Sequence, residues 1–371
     1  MPASHDHSYM ARALRLAAQG LYTTDPNPRV GCVLVKEDRI IAEGWHERAG
    51  EPHAEVHALR AAGKAARGAT AYVTLEPCAH HGRTPPCADA LIVAGVSRVV
   101  AAMTDPNPLV AGQGLDRLRA AGIAVTVGVL EAEARELNLG FVSRMTRGRP
   151  WVRLKTAISL DGKTALANGL SQWITGADAR RDVHAWRARS GAMLTGIGTI
   201  RDDNPRLTVR EVATPRQPLR VVVDSRLEIP LDAAILDGGG VLVACATEDA
   251  GKSAALRARG ADSVVLPNSH GKVDLPALLR ELGRRGINEV MVEAGGKLNG
   301  SLLREGCIDE LLIYQAPLLL GDTAQGMADF GTLTSLQDAM RLNILERRMV
   351  GADQCLRARF IPRNNPQETH P

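Results

Sequence analysis

The stretch AYVTLEPCAHHGRTPPCADALIVAGVSRVVAAM, residues 71–103, decides the fold class. AYVTL (71–75) and RVVAAM (98–103) are strand-like, and CADALIVAG (87–95) between them has helical apolar spacing. Strands that alternate with helices predict an α/β fold, a sheet with helices packed on its faces. The same stretch contains Cys78 and Cys87 with eight residues between them. Such a pair could be a disulfide, a structural clamp or part of a reactive metal site.

The alternation extends in both directions from this stretch. On the N-terminal side we predict a helix that begins at Ser8 as its N-cap, a strand at VGCVLV (30–35) and a helix at 54–66. On the C-terminal side we predict a helix near 112–121, a strand AVTVGV and a helix over 131–145. Gly148 and Pro150 then interrupt the pattern. We therefore expect two domains, 1–147 and 148–364, because the alternation restarts at WVRLKTAIS (151–159) and continues to DELLIYQAP (309–317).

Length and composition limit the possible functions. A chain of 371 residues is long enough for two domains, and a composition of 45% hydrophobic and 23% charged residues is typical of a soluble globular protein. Aromatic residues make up only 3% and the net charge is +4, which argues against a nucleic-acid binder and leaves room for a phosphate pocket. The N-terminus lacks a signal peptide and no run could span a bilayer, so we expect a cytoplasmic protein with reduced cysteines.

A second motif, PHAEVHAL, supplies the partners of the cysteine pair. It places His53 and Glu55 at the start of the helix predicted over 54–66. The His-Glu-x-x-His pattern of metalloproteases is not met, because Ala54 separates the first histidine from the glutamate. The zinc-deaminase pattern His-x-Glu followed by Pro-Cys-x-x-Cys is met, except that the second cysteine comes late. His53, Cys78 and Cys87 would leave a tetrahedral zinc ion one open position, and Glu55 could move a proton.

Other interpretations of these residues remain. A closed structural zinc site with His57, His80 or His81 as fourth ligand is the main alternative, although it leaves Glu55 without a role. A disulfide conflicts with the expected reducing compartment. His57 and His81 could be ordinary packed or solvated residues. Asn27, in the turn TDPNPRV, has a structural explanation but could also hold a substrate amide.

Together HAE (53–55), EPCAHHGRTPPC (76–87) and DPNPLVAGQG (105–114) resemble the bifunctional riboflavin-biosynthesis deaminase-reductase family over nearly the whole chain. The long cysteine spacing separates this family from deaminases that keep Cys-x-x-Cys. The resemblance implies a cytidine-deaminase-like three-layer α/β/α domain followed by a dihydrofolate-reductase-like α/β domain. It implies zinc bound by His53, Cys78 and Cys87, with Glu55 as proton shuttle and Asn27 and His80 as substrate contacts.

The same resemblance implies two reactions. The first domain would remove the 2-amino group of 2,5-diamino-6-(5-phosphoribosylamino)pyrimidin-4(3H)-one, and the second would use NADPH to reduce the ribosyl chain to a ribityl chain. The expected partner is thus a small phosphorylated pyrimidine rather than a nucleic acid or a membrane. A dimer or tetramer is the expected homo-oligomer. The rival interpretations are a nucleic-acid or nucleoside deaminase, and a structural zinc protein with a nucleotide-binding second domain.

The second half lacks the Gly-x-Gly-x-x-Gly fingerprint of dinucleotide binding. VEAGGKLNGSLL (292–303) nevertheless reads as a strand, a Gly295-Gly296 turn and a helix start, an arrangement that can bind a phosphate. The resemblance implies cofactor contacts at Ala157, Trp173, Thr199, Asp203, Ser225, Gly295, Gly296, Lys297, Leu298, Asn299, Gly300 and Ser301. It implies substrate contacts at Ser171, Arg187, Leu207, Arg210 and Glu293. From the residues alone, Arg187 could be a solvated helix residue, Trp173 a core residue, Glu293 a surface charge and Asp203 a turn former. Thr199, Asp203 and Arg210 are expected on a loop.

Overall fold

The structure is a computed structural model that describes residues 3–79 and 86–361. The chain divides into two compact units. The first runs to Pro150 and also includes Thr214–Arg216 and Gly283–Asn288, and the second contains the other described residues. The domain limits 1–147 and 148–364 stay a prediction. No helix within the described ranges has the length and apolarity that crossing a membrane requires.

The first unit is a three-layer α/β/α sandwich, as the sequence predicted. Its helices within residues 3–79 and 86–150 are α1 (Ala3–Ala17), α2 (Ala54–Ala62), α3 (Cys87–Ala94), α4 (Gln113–Ala120), α5 (Glu131–Leu137) and α6 (Leu139–Arg147). Its strands over the same residues are β1 (Gly31–Lys36), β2 (Arg39–Trp45), β3 (Thr70–Val73), β4 (Arg98–Ala101) and β5 (Ala124–Val127). They form a sheet in the order β2-β1-β3-β4-β5, in which β1 is antiparallel to both neighbours and β3, β4 and β5 are parallel.

The period-two alternation of strand side chains explains the layers. Cys32 and Leu34 of β1 face one side of the sheet and pack in a core with residues of α2, α3 and α4. Val33 and Val35 face the other side and pack with residues of α1, α5 and α6. The carboxyl end of β3 leads into the segment with Cys78, and α2 and α3 begin at the residues that follow His53 and Pro86. One face of the sheet therefore brings the two motifs together.

Several sequence-based details of the first unit were wrong. Ser8 is not an N-cap, because α1 already begins at Ala3. The first turns of this helix are held by Asp6, a buried residue whose carboxylate accepts hydrogen bonds from Tyr72 and Arg98. The helix predicted over 131–145 is two helices, separated at Asn138, whose side chain bonds to the backbone of Arg29. The strand predicted over 71–75 ends earlier than expected, because β3 stops at Val73.

Strand β2 was not predicted from the sequence. It follows β1 through a two-residue turn at Glu37 and Asp38, both of which have positive φ angles of 51° and 54°. Turns of this kind normally use asparagine or glycine, so this hairpin lacks its usual sequence signal.

The second unit is an α/β domain built on a mostly parallel sheet. Its helices within the described part are α7 (Ala177–Arg189), α8 (Ile197–Asp203), α9 (Ala250–Ala258), α10 (Leu275–Arg284) and α11 (Gly296–Arg304). Its strands there are β6 (Trp151–Ser159), β7 (Lys163–Ala165), β8 (Ala192–Gly196), β9 (Leu219–Val223), β10 (Val241–Cys245), β11 (Ala261–Val265), β12 (Glu289–Val292), β13 (Glu310–Ala316), β14 (Gln325–Gly326), β15 (Leu342–Val350) and β16 (Asp353–Phe360).

The strand order explains where a ligand can bind. The main sheet has the order β11-β10-β9-β8-β12-β6-β13-β16-β15, parallel from β11 to β13 and antiparallel at β16 and β15. The chain builds outward from β6 to β11 and then returns with β12 between β8 and β6. Open α/β sheets bind ligands at the carboxyl ends of strands beside such a reversal. The carboxyl ends of β8, β12 and β6 are therefore the expected site.

Two features of the second unit differ from the sequence-based expectations. Thr199 and Asp203 lie on helix α8 rather than on a loop, and this short helix ends at Asn204, which adopts a left-handed φ of 42°. The hairpin β15–β16 was not predicted. It turns at Gly351, whose φ of 63° favours glycine.

Candidate functional sites

The structure brings His53, Cys78 and Cys87 together. The Nδ1 atom of His53 lies 3.3 Å from Sγ of Cys87 and 3.7 Å from Sγ of Cys78, and the three ligand atoms all lie within 4.8 Å of one another. Tetrahedral zinc bonds of ~2.3 Å to sulfur and ~2.05 Å to nitrogen would separate the nitrogen and sulfur atoms by about 3.5 Å. The two measured distances bracket this value, so the donor set fits a zinc ion.

The local structure favours negative charge on the Cys78 sulfur atom, whereas the hydrogen bond to Cys78 and then burial raise the pKa of the Cys87 thiol. Cys87 is the first residue of α3, and its backbone N–H donates a hydrogen bond of 3.3 Å to Sγ of Cys78. A hydrogen bond from the Cys87 thiol, and a weaker contribution from His53, lower the pKa of Cys78 well below the usual range of a thiol. Burial of Cys78 opposes this effect but does not cancel it. The hydrogen bond to Cys78 raises the pKa of His53. Neither Cys78 nor Cys87 forms a disulfide, which excludes a Cys78–Cys87 bond.

Glu55 lies in the first turn of α2 with only 3% of its surface exposed. Burial raises the pKa of its carboxyl group to about 6, although the nearby His53 opposes this effect. Its Oε2 atom has no hydrogen-bond partner among the described residues. A buried carboxyl group with a free oxygen beside a metal-ligand cluster is suited to carrying a proton.

The alternative fourth ligands can be compared with this geometry. His57 does not belong to the cluster of potential metal ligands found among the described residues. Its Nε2 atom is buried and has no hydrogen-bond partner among those residues. His80 and His81 lie outside the described residues. The described cluster consequently has three protein ligands.

Asn27 is held by His46, a residue that the sequence analysis missed. Both ring nitrogens of His46 form hydrogen bonds. Nδ1 lies 3.1 Å from the carbonyl oxygen of Pro52, and Nε2 lies 3.1 Å from Nδ2 of Asn27. Only an Nδ1–H tautomer satisfies both, because the Pro52 oxygen is an acceptor and the amide nitrogen is a donor. Burial lowers the pKa of His46, and its ring lies edge-on to that of His53 at 5.4 Å. This pair could not be predicted from the sequence, because GWH (44–46) fits no motif.

The second unit contains a buried polar cluster at the carboxyl ends of β12 and β8. Arg187 of α7 makes a bidentate pair with Glu293, Nε to Oε1 at 2.6 Å and Nη2 to Oε2 at 2.9 Å. The two side chains are 12% and 14% exposed, so Arg187 is not a solvated helix residue and Glu293 is not a surface charge. Burial opposes ionisation of Glu293, but Arg187 and Lys155 outweigh it and lower the pKa to about 2. Burial also lowers the pKa of Lys155, whose Nζ lies 3.9 Å from Glu293.

A buried histidine connects this cluster to the segment that follows α8. Nδ1 of His184 accepts a hydrogen bond of 3.2 Å from the backbone N–H of Arg210. Burial and then the charges of Arg187 and Arg210 lower the pKa of His184 to about 4, so the ring is neutral at pH 7. Leu207 is buried in the core and has a φ of 49°, whereas the Arg210 side chain is exposed. Lys155 and His184 were not predicted, because neither lies in a recognisable motif.

The glycine-rich start of α11 lies beside Thr199. A Cβ atom at Gly295 would lie 3.9 Å from Oγ1 of Thr199, and no side chain caps the N-terminus of α11. The uncapped N–H groups of this helix start can bind a phosphate. Asn299 and Gly300 have structural contacts instead: the Asn299 side chain donates to the carbonyl oxygens of Ala294 and Met327, and a Cβ at Gly300 would meet the Asp329 oxygen at 1.8 Å.

The other expected contacts lie at exposed or half-buried positions. Asp203 hydrogen-bonds to Ser171 and Gln172, and burial raises its pKa. Trp173 is 68% exposed and lies 4.6 Å from the Arg180 guanidinium, so it is not a core residue. Ser225 follows β9 and accepts from the Val273 N–H. Ala157 on β6, Gly296, Leu298 and Ser301 are half-buried and Lys297 is exposed.

Comparisons with known proteins agree with this geometry. The model of the cytidine and deoxycytidylate deaminase zinc-binding region matches residues 3–103, and the model of the RibD C-terminal domain matches residues 150–356. Fold and site thus define a two-domain enzyme, a zinc-dependent hydrolytic deaminase joined to a reductase.

Relatives cover almost the whole chain. Riboflavin biosynthesis protein RibD of Escherichia coli (strain K12) is 50% identical over 95% of this chain and 98% of its own length, and that of Haemophilus influenzae is 49% identical over 95% and 96%. The solved structure of Acinetobacter baumannii RibD, form 1, has a TM-score of 0.91 and 45% identity over 97% of this chain and 99% of that one. A Thermotoga maritima structure has a TM-score of 0.87 and 34% identity over 97% and 100%, and its name is diaminohydroxyphosphoribosylaminopyrimidine deaminase/5-amino-6-(5-phosphoribosylamino)uracil reductase.

The chain belongs to the RibD family of riboflavin-biosynthesis proteins. It is a bifunctional enzyme whose cofactors are zinc, in the deaminase domain, and NADPH, in the reductase domain. The predicted family, fold class, function and cofactors are confirmed.

Proposed function

We propose that the deaminase acts on 2,5-diamino-6-(5-phosphoribosylamino)pyrimidin-4(3H)-one, and that the reductase converts the ribosyl chain of the product to a ribityl chain. The Thermotoga maritima relative carries both activities in its name. We assign zinc binding to His53, Cys78 and Cys87, and proton transfer to Glu55. The observation that carries this assignment is the cluster of three ligand atoms within 4.8 Å, next to a buried carboxyl group with a free oxygen.

When bound, zinc supplies the activation of a water molecule as a nucleophile at neutral pH. The residues of the chain move the protons. Glu55 takes the two protons of the attacking water in turn and delivers one to the ring nitrogen beside the reacting carbon and the other to the departing amino group, so that the carbon gains a carbonyl oxygen, the ring nitrogen gains a hydrogen and ammonia leaves. Burial of Glu55 suits this exchange, because a pKa of about 6 lies close to neutral pH.

Asn27 orients the pyrimidine in this proposal. His46 accepts the N–H of its side-chain amide, which leaves Oδ1 of Asn27 to accept from an amino group of the substrate. We keep His80 as a substrate contact from the family resemblance.

In the reductase we propose that Arg210 binds the substrate phosphate, because its guanidinium is exposed and suits a phosphate group. Arg187 orients Glu293, which accepts from a substrate hydroxyl or amide, and Ser171 and the Leu207 backbone complete the substrate side. The ribosylamine ring opens to an imine at C1′, and Lys155 beside Glu293 donates a proton to the imine nitrogen as hydride reaches C1′, because a buried lysine with a lowered pKa can donate a proton.

For NADPH we propose that the N-terminus of α11, Gly295 to Ser301, faces the pyrophosphate. The remaining cofactor contacts lie at carboxyl ends of neighbouring strands or in adjacent segments: Ala157, Trp173, Thr199, Asp203 and Ser225. The enzyme uses no nucleic acid in this proposal.

We also propose a cytoplasmic homo-oligomer, a dimer or tetramer. Free cysteines suit a reducing compartment. Strand β15 lies at the edge of its sheet and exposes Leu342, Ile344 and Met349, an arrangement that favours pairing with a second chain. Light scattering on the purified protein would measure the oligomeric state, and a monomer would contradict this part.

The assignment of Glu55 is tested with the variant Glu55→Gln. Glutamine preserves the shape of the side chain but cannot accept a proton, so ammonia release should fall by at least about 100-fold. Zinc content and NADPH-dependent reduction of the supplied deaminated intermediate should stay unchanged. Undiminished ammonia release would reject Glu55 as the proton carrier.

A further inference from the structure

Helix α4 contacts both segments that carry the cysteine ligands. Its N-terminal end meets Glu76, two residues before Cys78. The buried Glu76 carboxylate accepts four backbone N–H bonds: Oε2 from Asp105 at 3.0 Å and Gly112 at 2.9 Å, and Oε1 from Gly114 at 2.8 Å and Leu115 at 3.4 Å. One carboxylate thus joins the Cys78 segment to the start of α4.

The helix also packs directly against the residue between Glu76 and Cys78. A Cβ atom at Gly114 would lie 1.9 Å from the carbonyl oxygen of Pro77, so only glycine permits this approach. The backbone N–H of Glu76 donates to the Met103 oxygen at 2.9 Å, which attaches the same segment to the residues just after β4. The position of Pro77 is therefore fixed from two sides.

Arg117, one helical turn beyond Gly114, reaches both cysteine segments. Its Nη1 donates 3.3 Å to the carbonyl oxygen of Ala79, the residue after Cys78. Its Nε lies 2.6 Å from Oδ1 of Asp89, which is two residues after Cys87 in α3. Arg117 thus bridges the two segments on either side of residues 80–85.

The long separation of Cys78 and Cys87 in the sequence explains why contacts from α4 are needed. In a Cys-x-x-Cys motif a single turn fixes the spacing of the two thiolates. Here eight residues separate Cys78 from Cys87, so the local backbone does not fix their spacing. Contacts from elsewhere in the fold must do so.

We propose that Glu76 and Arg117 are positioning residues that act through α4 to hold the Cys78 and Cys87 thiolates at the spacing that zinc requires. The inference rests on the proposed zinc ligands. It explains why EPC and DPNPLVAGQG, two separate motifs of the sequence, occur together: the glutamate of the first binds the backbone of the second.

The competing explanation is a purely structural one. Arg117 is 44% exposed and Asp89 is 29% exposed, and a surface ion pair of this kind ordinarily contributes little to stability. If its role is only to stabilise the fold, replacing Arg117 should not alter metal binding. If it positions the thiolates, metal affinity should fall while the fold persists.

The test compares Arg117→Met with Arg119→Met, a matched control on the same helix whose guanidinium pairs with the exposed Asp116. Zinc affinity is measured by competition with a chromophoric chelator on the full chain. The absorption of the cobalt-substituted protein reports the thiolate geometry. Residues that orient metal ligands typically change affinity by about 10–100-fold.

We expect Arg117→Met and Glu76→Gln to weaken zinc binding at least about tenfold and to alter the thiolate-to-cobalt absorption bands. Arg119→Met should match the wild type. Reduction of the supplied deaminated intermediate, catalysed by the other domain of the same chain, should be unchanged in all three variants. A far-ultraviolet circular dichroism spectrum and a thermal unfolding transition equal to those of the wild type show that the mutated domain is folded. If Glu76→Gln does not fold, Arg117→Met alone decides.

Two results would overturn the positioning role. One is that Arg117→Met binds zinc with wild-type affinity and has the wild-type cobalt absorption. The other is that Arg119→Met loses as much zinc affinity as Arg117→Met does. Cys78→Ser separates this failure from failure of the ligand assignment. If Cys78→Ser loses zinc while Arg117→Met retains it, the positioning role alone is wrong. If Cys78→Ser also retains zinc with full affinity, the ligand assignment is wrong and the positioning role with it.

Discussion

Replacing Arg187 by methionine should destabilise the reductase domain and abolish its activity. Glu293 would lose both short hydrogen bonds, 2.6 and 2.9 Å, and would remain a carboxylate at 14% exposure with only Lys155 at 3.9 Å. Removing one partner of a buried ion pair costs about 3–5 kcal/mol. Since Lys155 remains as a partial partner, we expect the lower end, about 3 kcal/mol.

The measurement is denaturant unfolding followed by tryptophan fluorescence. Trp151, Trp173 and Trp186 lie in the second unit and only Trp45 in the first, so fluorescence reports mainly on the reductase domain. The double variant Arg187→Met/Glu293→Gln removes the unpaired charge. It should recover at least half of the lost stability, and the coupling energy of the cycle should exceed about 1.5 kcal/mol.

Two results would refute this reasoning. A loss of less than about 1 kcal/mol in Arg187→Met would mean that the pair is solvated like a surface ion pair. A double variant no more stable than the single one would mean that burial of an unpaired charge is not the cause. Ammonia release serves as the control and should persist, because the deaminase domain is unchanged.

Three further outcomes are expected. Gly300→Ala should cost about 1–3 kcal/mol, because its Cβ would lie 1.8 Å from the Asp329 oxygen, whereas Gly198→Ala, which has open space, should leave the melting temperature nearly unchanged; equal effects would contradict the packing argument. The pKa of His184 is about 4 in the folded protein, against an ordinary value of 6.5, so the unfolded chain binds more protons and the free energy of unfolding falls as the pH drops from 6.5 to 4. The variant His184→Gln should reduce this pH dependence, measured by urea unfolding at several pH values. An unchanged pH dependence would exclude His184 as its source. Removal of zinc by a chelator should stop ammonia release and leave NADPH oxidation with the supplied deaminated intermediate intact, and loss of both activities would contradict two independent sites.

Periodicity and motif chemistry predicted the two α/β domains and the zinc cluster. Metal ligands are visible in a sequence because few residue types bind zinc, and His53, Cys78 and Cys87 occur in a pattern with Glu55. The alternation of strands and helices is visible because buried strands such as VGCVLV and LRVVV are continuous apolar runs.

Other features depend on contacts between distant residues, which a sequence does not reveal. His46 is hydrogen-bonded to Asn27, which lies 19 positions away in the sequence. Glu76 accepts hydrogen bonds from backbone N–H groups that lie 29 to 39 positions away. The hairpin turn at Glu37 lacked the expected glycine or asparagine. Lys155 was hidden in an ordinary strand pattern, because only the return of β12 beside β6 places Glu293 near it.

The most direct test of the account follows product mass when purified protein is incubated with 2,5-diamino-6-(5-phosphoribosylamino)pyrimidin-4(3H)-one, with and without NADPH. Without NADPH, the account predicts replacement of one amino group by oxygen and release of ammonia. With NADPH, the product should also gain two hydrogens. Glu55→Gln should block both changes, and the two-hydrogen gain should return when the deaminated intermediate is supplied. A substrate unchanged in both incubations, or a two-hydrogen gain without NADPH, would contradict the account.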